Sequence, residues 1–231
     1  VNLFIALCLQ ESAVNQQLPY NKEIILIANG EILKMQMQTQ QRYYTPEEYL
    51  ALEESAEFKS EYHNGEIVPM TGGSINHNQI AGNVYAYLKF AFRGKNLKPY
   101  IGDLRLWIPR YQRYTYPDVM VIQGTPALYN NRTDTITNPV FIVEVLSKST
   151  QNYDHTDKFR YYRSIPEFQE YVLINQYELQ IEHYTKTGEA QWLLREFETQ
   201  DAKITFSSVD LEIAIADIYE GVDFNLKESA E

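Results

Sequence analysis

Glu144 stands alone in the run Val140-Phe141-Ile142-Val143-Glu144-Val145-Leu146, whose other members are all aliphatic or aromatic. An ionised carboxylate buried without a partner is costly, so this residue is expected to be paired or to grip a cation. Asp118 opens a second apolar run, Asp118-Val119-Met120-Val121-Ile122, directly behind Pro117. If the two runs are neighbouring strands, their carboxylates converge at one sheet edge. Two such oxygens, with waters and a phosphate, suit a hard cation such as Mg²⁺ or Mn²⁺. Lys158 follows on a helix, four residues after Asp154 and on the same face. An ammonium there can reach toward Glu144 and orient a water or stabilise charge developing on a phosphoryl group. The bland alternatives are a turn-capping Asp118, a structural Glu144–Lys158 pair and an Asp154–Lys158 surface pair worth about 0.3–0.5 kcal/mol. Each is the commoner reading of one residue alone. Together, in this order, they favour metal-dependent phosphodiester hydrolysis. A glycosidase-like carboxylate pair fits more loosely, because it leaves Lys158 unused.

The elements that must position these groups read as follows. Thr45-Pro46-Glu47-Glu48 opens a helix with a threonine cap, an N1 proline and a capping-box glutamate. That helix is expected to turn Tyr49, Leu50 and Leu52 inward. The segment around Asn64-Gly65 reads as a hairpin with a two-residue type I′ turn. Ser74 or Asn76 caps a second helix, with Ile80, Val84, Tyr87, Leu88 and Ala91 at helical spacing. Residues 100–108 read as one strand, and 130–138 as a polar loop. The Glu144 run is apolar on both faces, hence a central strand. A helix over 153–164 and strands over 170–175, 179–186 and 190–198 follow, and the tail from 207 carries few signals. The order predicts an α/β (α+β) fold with one main sheet. Residues 1–42 are set apart as an extension, an over-extended start or a loosely docked arm. The domain is placed at 43–220, with an acidic tail at 221–231.

The formal net charge is −11, yet it is unevenly spread. Residues 164–231 hold 4 basic and 15 acidic side chains, and residues 1–163 hold 16 of each. Between 89 and 113 there are seven basic residues against one acid, Asp103. Of these, Lys89, Arg93, Lys95, Lys98 and Arg105 are the candidates to hold a nucleic-acid backbone; a solvated face is the plainer alternative. Many of the 19 tyrosines are expected to sit half exposed or at an interface, and with the edge strands they offer material for a homodimer. Cys8 is the single cysteine, so neither an intrachain disulfide nor a cysteine-based zinc site is expected. No apolar run spans a bilayer, and no positive residue precedes Leu3–Leu9 as a signal peptide requires. A cytoplasmic setting is expected.

Several separated segments carry a resemblance. They are Tyr62-His63-Asn64-Gly65-Glu66, Asn76-His77-Asn78 through Gly82-Asn83, Gly102-Asp103, Tyr116-Pro117-Asp118, Val143 through Thr150, Tyr153-Asp154 through Lys158 to Tyr162, and Glu170-Tyr171-Val172-Leu173. Over roughly 43–220 they resemble a large bacterial family of restriction-endonuclease-like proteins in the PD-(D/E)XK superfamily. The resemblance implies a mixed central sheet flanked by helices and divalent-metal-dependent cleavage of DNA. It also implies that His77 borders the active site, where it could bind phosphate or tune the water; a local helix-start hydrogen bond is the equal alternative. The superfamily's usual lysine lies two residues past the acid, where this chain has Leu146. Lys158 is the best replacement, Lys148 a weaker rival. Asp103 and Glu66 are second-rank carboxylates, and His63, His155 and His183 are read as structural. A catalytically silent member that binds nucleic acid or a protein partner is the alternative function.

Overall fold

A computed structural model describes residues 22–28, 31–37 and 42–226. Two 3₁₀ turns aside, the elements in chain order are β1 (Lys22–Ala28), β2 (Glu31–Met37), α1 (Pro46–Glu53), β3 (Ser60–His63), β4 (Glu66–Pro69), α2 (Ile75–Ala91), β5 (Leu97–Ile101), β6 (Arg105–Ile108), β7 (Arg113–Thr115) and β8 (Val119–Gln123). They continue as β9 (Thr135–Ile136), β10 (Phe141–Leu146), α3 (Gln151–Tyr153), a π-helical segment (Asp154–Lys158), α4 (Phe159–Tyr162), β11 (Glu170–Asn175), β12 (Ile181–Gly188), β13 (Gln191–Phe197), β14 (Lys203–Phe206), β15 (Leu211–Ala214) and α5 (Ile215–Ile218). β1 and β2 pair as an antiparallel hairpin. The rest of the extension expected over 1–42 falls largely outside the described residues.

Six strands form a mixed sheet in the order β13-β12-β11-β10-β8-β5. β10 lies inside it, parallel to β11 and antiparallel to β8. All six of its residues are buried, which is why the sequence shows no polar alternation there. Successive side chains take opposite faces. Phe141, Val143 and Val145 pack with Ile80, Val84 and Leu88 of α2. Ile142 and Leu146 join Phe159, Tyr162 and Leu173. Glu144 shares their parity, so it points toward the helical run 151–162 and away from α2. The acidic region after residue 163 supplies β11, β12 and β13, while the lysine-bearing strand β5 forms the opposite edge.

The expectation of one main sheet is corrected. A second sheet of five strands, β4-β3-β7-β6-β9, packs its Tyr62, Trp107 and Tyr114 with Tyr49 of α1. The run 100–108 is not one strand, because Gly102 takes φ +60° and donates its N–H to the Asp118 carbonyl at 3.0 Å. That turn sends β5 to one sheet and β6 to the other. The loop 130–138 likewise contains β9, parallel to β6.

Other local expectations hold. Thr45 and Glu48 form the capping box. Asn64 and Gly65 take φ +50° and +104° between β3 and β4, as a type I′ turn needs. Ser74, not Asn76, caps α2. Leu52, however, is exposed.

Half of the eighteen described tyrosines are half-buried, as expected, and eight others lie inside. Tyr49, Tyr62, Tyr114, Tyr162 and Tyr171 are among the fully buried side chains. Internal acceptors make this tolerable for most: Tyr49 donates to the Ser60 carbonyl, Tyr62 to that of Tyr44 and Tyr171 to that of Asp154. The weakly patterned stretch after 207 completes the core, since Val209, Ile213, Ile215, Ile218 and Tyr219 belong to the cluster beneath α2. Among the described residues, no helix is long and apolar enough to cross a membrane.

Candidate active site

Strand register explains how Asp118 meets Glu144. Val143 pairs with Val119, and β8 starts there, directly after Pro117 and Asp118. The ladder partner of Val145 would be Pro117, so the Val145 N–H is left over. Asp118 Oδ2 accepts it at 2.7 Å. In return, the Asp118 N–H points at Glu144 Oε2 at 3.4 Å. The two carboxylates are thereby held side by side on adjacent strands.

Lys158 completes the group from the helical run after β10. The π-helical turn keeps Asp154, Lys158, Phe159 and Tyr162 all buried against the sheet. Lys158 Nζ lies 3.1 Å from Glu144 Oε1 and 3.0 Å from Asp154 Oδ1. Tyr162 donates its hydroxyl to the same Glu144 Oε1 at 2.7 Å. Asp154 is 1% exposed, so its pairing with Lys158 is a buried contact and not the surface pair considered above.

α2 brings His77 from the opposite face of the sheet. Its Nε2 lies 3.3 Å from Asp118 Oδ2. Buried Gln176 fixes this end of the helix: its Nε2 donates to the Leu146 carbonyl at 2.7 Å, while Ser74 Oγ donates to its Oε1. Asn76 adds bonds to the Gln176 and Asp223 carbonyls. Gly73 matters here too, since a Cβ at that position would stand 2.9 Å from His77 Nδ1.

Electrostatically, this is an acid-rich pocket. Glu144, Asp154 and buried Glu61 surround one ammonium, and Asp118 lies beside Glu144. Burial opposes the charge of Lys158, but Glu144, Asp154 and Glu61 outweigh it and hold its pKa well above the usual lysine value. Burial likewise raises Glu61, yet Lys158 and His63 bring it below its ordinary range. Burial would lower His77, but Asp118 and Glu144 raise it overall. Glu144 is pushed up to about 8, first by burial and then by the Asp118 and Asp154 carboxylates, against Lys158 and Tyr162.

The fit to a divalent cation follows from this donor set. Glu144 Oε1 is occupied by Lys158 and Tyr162. Asp118 Oδ1 remains, as does Glu144 Oε2 apart from the long 3.4 Å contact with the Asp118 N–H; both are hard oxygens within a local surplus of negative charge. Among the described residues, no three His, Cys, Asp or Glu side chains form a ready-made metal cluster. Two protein carboxylates with water and substrate oxygens would therefore have to suffice, as hydrated Mg²⁺ commonly allows.

A pH dependence follows. Glu144 titrates near 4.5 as a free side chain and near 8 in the fold, so between those values the folded state holds a proton the unfolded chain lacks. Its contribution to stability is lost as pH rises through that window. In EDTA the melting temperature should fall from pH 5 to pH 8.5, and the increment given by saturating Mg²⁺ should grow over the same range. Thermal scans in matched buffers check this; a Mg²⁺ increment that does not change with pH would contradict it.

The remaining expected residues disperse. Lys148 is exposed and lies over the Tyr177 ring. Asp103 pairs with Lys59, and Glu66 lies in β4. His63 bonds Glu61, His155 bonds Glu182, and His183 bonds Glu170. Arg105 does not join the exposed cations. It is buried in the second sheet, bonded to the Tyr116 hydroxyl at 2.8 Å and paired with Glu53 and Asp134. Lys89, Arg93, Lys95 and Lys98 are exposed near the far end of α2. By helical rise, Lys89 lies about 18 Å along the axis from His77.

Sequence reasoning missed Tyr162, Glu61 and Gln176. Tyr162 lies four residues past Lys158, a spacing that marks a shared helical face. Glu61 and Gln176 carry no such signal, since both act through contacts distant in sequence.

Comparison with known proteins agrees with the resemblance. The family Uma2, described as "Putative restriction endonuclease", matches residues 46–216. Two proteins of Synechocystis sp. strain PCC 6803 are similar. "Uncharacterized protein sll1609" is 44% identical over 163 residues, covering 71% of this chain and 92% of its own. "Uncharacterized protein slr1290" is 36% identical over 180 residues, covering 78% and 93%. The crystal structure of "a putative nuclease belonging to DUF820" from Anabaena variabilis superposes with a TM-score of 0.63 at 20% identity, covering 77% of this chain and 98% of that one. That likeness bears on the fold, which is the mixed sheet with flanking helices expected from the motifs. With its matched region covering most of the chain, the protein belongs to the Uma2 family.

Proposed function

We propose that this chain is a divalent-metal-dependent endonuclease acting on DNA. The observation that carries the reading is the junction of Asp118 and Glu144 on adjacent strands, with the Lys158 ammonium 3.1 Å from Glu144. Asp118 and Glu144 would hold the cation, Mg²⁺ or Mn²⁺, which when bound supplies Lewis-acid activation of a water. Lys158 keeps its proton and so acts as a donor. It holds Glu144 in place and offers positive charge to an attacking oxygen or a developing phosphoryl oxyanion. Tyr162 fixes the same Glu144 oxygen. His77, partly exposed and favoured in its charged form by Asp118, can donate to a phosphate oxygen at the open side of the site. Leu146 packs in the apolar core, so the position of the superfamily's usual lysine is closed, and Lys158 reaches the same carboxylate from the helix.

Purified protein should nick supercoiled plasmid with Mg²⁺ or Mn²⁺ and be silent in EDTA. Glu144→Gln and Asp118→Asn should each reduce the rate by about 10³-fold, the scale of a lost metal contribution of several kcal/mol. Activity that survives both substitutions, or is indifferent to EDTA, would remove the proposal. DNA binding without cleavage in any divalent ion would leave the catalytically silent reading in its place.

A further inference from the structure

A groove of about 830 Å³ runs between the C-terminal half of α2 and the free edge of β5, well away from Asp118 and Glu144. Its walls carry Tyr85, Lys89, Phe90, Arg93, Lys98 and Tyr100. Lys89, Arg93 and Lys98 are exposed and form no ion pair among the described residues, on a chain of net charge −11. Phe90 is 79% exposed and stacks on no other aromatic among the described residues, while Tyr85 and Tyr100 are half-buried, Tyr85 against the core under α2 and Tyr100 against the core on the other face of the sheet. The open Phe90 ring among unpaired cations matches the two chemistries of an unpaired nucleic-acid strand, whose bases stack and whose phosphates attract.

We infer that this groove binds single-stranded nucleic acid. A duplex keeps its base faces inside its own stack, so it would use the cations and leave Phe90 idle. A second copy of the chain fits less well. Two such grooves face to face would set three cations against three. The β5 edge also carries Lys98 and Pro99, which oppose strand addition. Lys98 pairs with Ile122, four residues along the strand from Asp118, about 14 Å at strand rise. Where the nuclease reading holds, an unpaired segment a few nucleotides from the scissile phosphate would lie in this groove. The favoured substrate would then carry a single-stranded flank. Strand binding itself does not depend on that reading.

The test uses the full chain in EDTA, so that binding is read without cleavage. Fluorescence anisotropy is measured with a labelled strand of about twelve thymidines and with a duplex of equal length, a span within single-strand site sizes. Over about 50 to 200 mM salt, the Lys89→Gln/Arg93→Gln/Lys98→Gln variant should lose about 2 units of the slope of log K against log salt on the single strand. Phe90→Ala should weaken the single strand about tenfold and the duplex little, with an unchanged melting temperature. An unchanged salt slope, equal effects of Phe90→Ala on both probes, or a dimer that Phe90→Ala dissociates would each overturn the inference. Plasmid nicking by the same variants is scored separately: a dead nuclease centre leaves strand binding intact, and a failed groove leaves Asp118–Glu144 chemistry intact.

Discussion

Lys158→Met is expected to cost about 3–5 kcal/mol of stability and to reduce cleavage by about 10²–10³-fold. The side chain keeps its length and apolar stem, so packing is largely preserved. The ammonium is lost, and Glu144, Asp154 and Glu61 stay buried around the vacated position. Buried carboxylates without a cation must take up protons or force the site open. The destabilisation should therefore shrink as pH falls toward 5, where protonation becomes easier. Lys158→Met/Glu144→Gln should recover part of the lost stability, because one of the stranded charges is gone, while activity stays lost. Urea titrations of the two single variants, the double variant and the parent give the coupling directly. A loss below about 1 kcal/mol for Lys158→Met would mean that the pair behaves like an exposed one, against the burial that places it at the centre of the site.

Ending the chain after Phe206 should leave it unable to fold. Val209, Ile213, Ile215, Ile218 and Tyr219 are each under 8% exposed and pack beneath α2 with β10 and β11. At about 1.5–3 kcal/mol for each large buried side chain, their loss is on the order of the whole stability of a domain. The cut also removes β15, the partner of β14, and uncovers the Asn83 side chain, which donates to the Ile218 and Glu220 carbonyls. Circular dichroism and a flat urea response would register the collapse. A truncated chain with a cooperative transition near the parent's would show that these residues are not core.

The strands bearing Asp118 and Glu144 were legible because their chemistry is local. A lone acid in a β-branched run, and an acid behind a proline, announce themselves without any tertiary knowledge. The hairpin at Asn64-Gly65 and the cap at Thr45 are equally local, fixed by backbone angles and one side-chain bond. What the sequence hid depends on long-range geometry. The split at Gly102 turns on one glycine angle, so residues 100–108 pattern as one long strand where two sheets part. The π-helical turn that seats Lys158 and Asp154 leaves no trace in residue periodicity. Residues 203–218 form strands and a helix of four residues each, too short for a period to show, although they finish the core. Arg105 illustrates the limit of counting charges: in a basic stretch it looks like a phosphate contact, and Tyr116, Glu53 and Asp134 hold it inside.

The placement of charge across the six-stranded sheet has a consequence at long range. One edge, β5 with the end of α2, is cationic; the strands toward the other, β11 to β13 over residues 170–197, hold 5 acids and 2 bases. The molecule therefore has an electric axis running across its strands. A polyanion at a distance exerts a torque on that axis before any atom touches, turning the cationic rim inward and the acidic rim to the solvent. Orientation would then be chosen during diffusion, and at high ionic strength, where fields fade within a few ångströms, that selection would disappear.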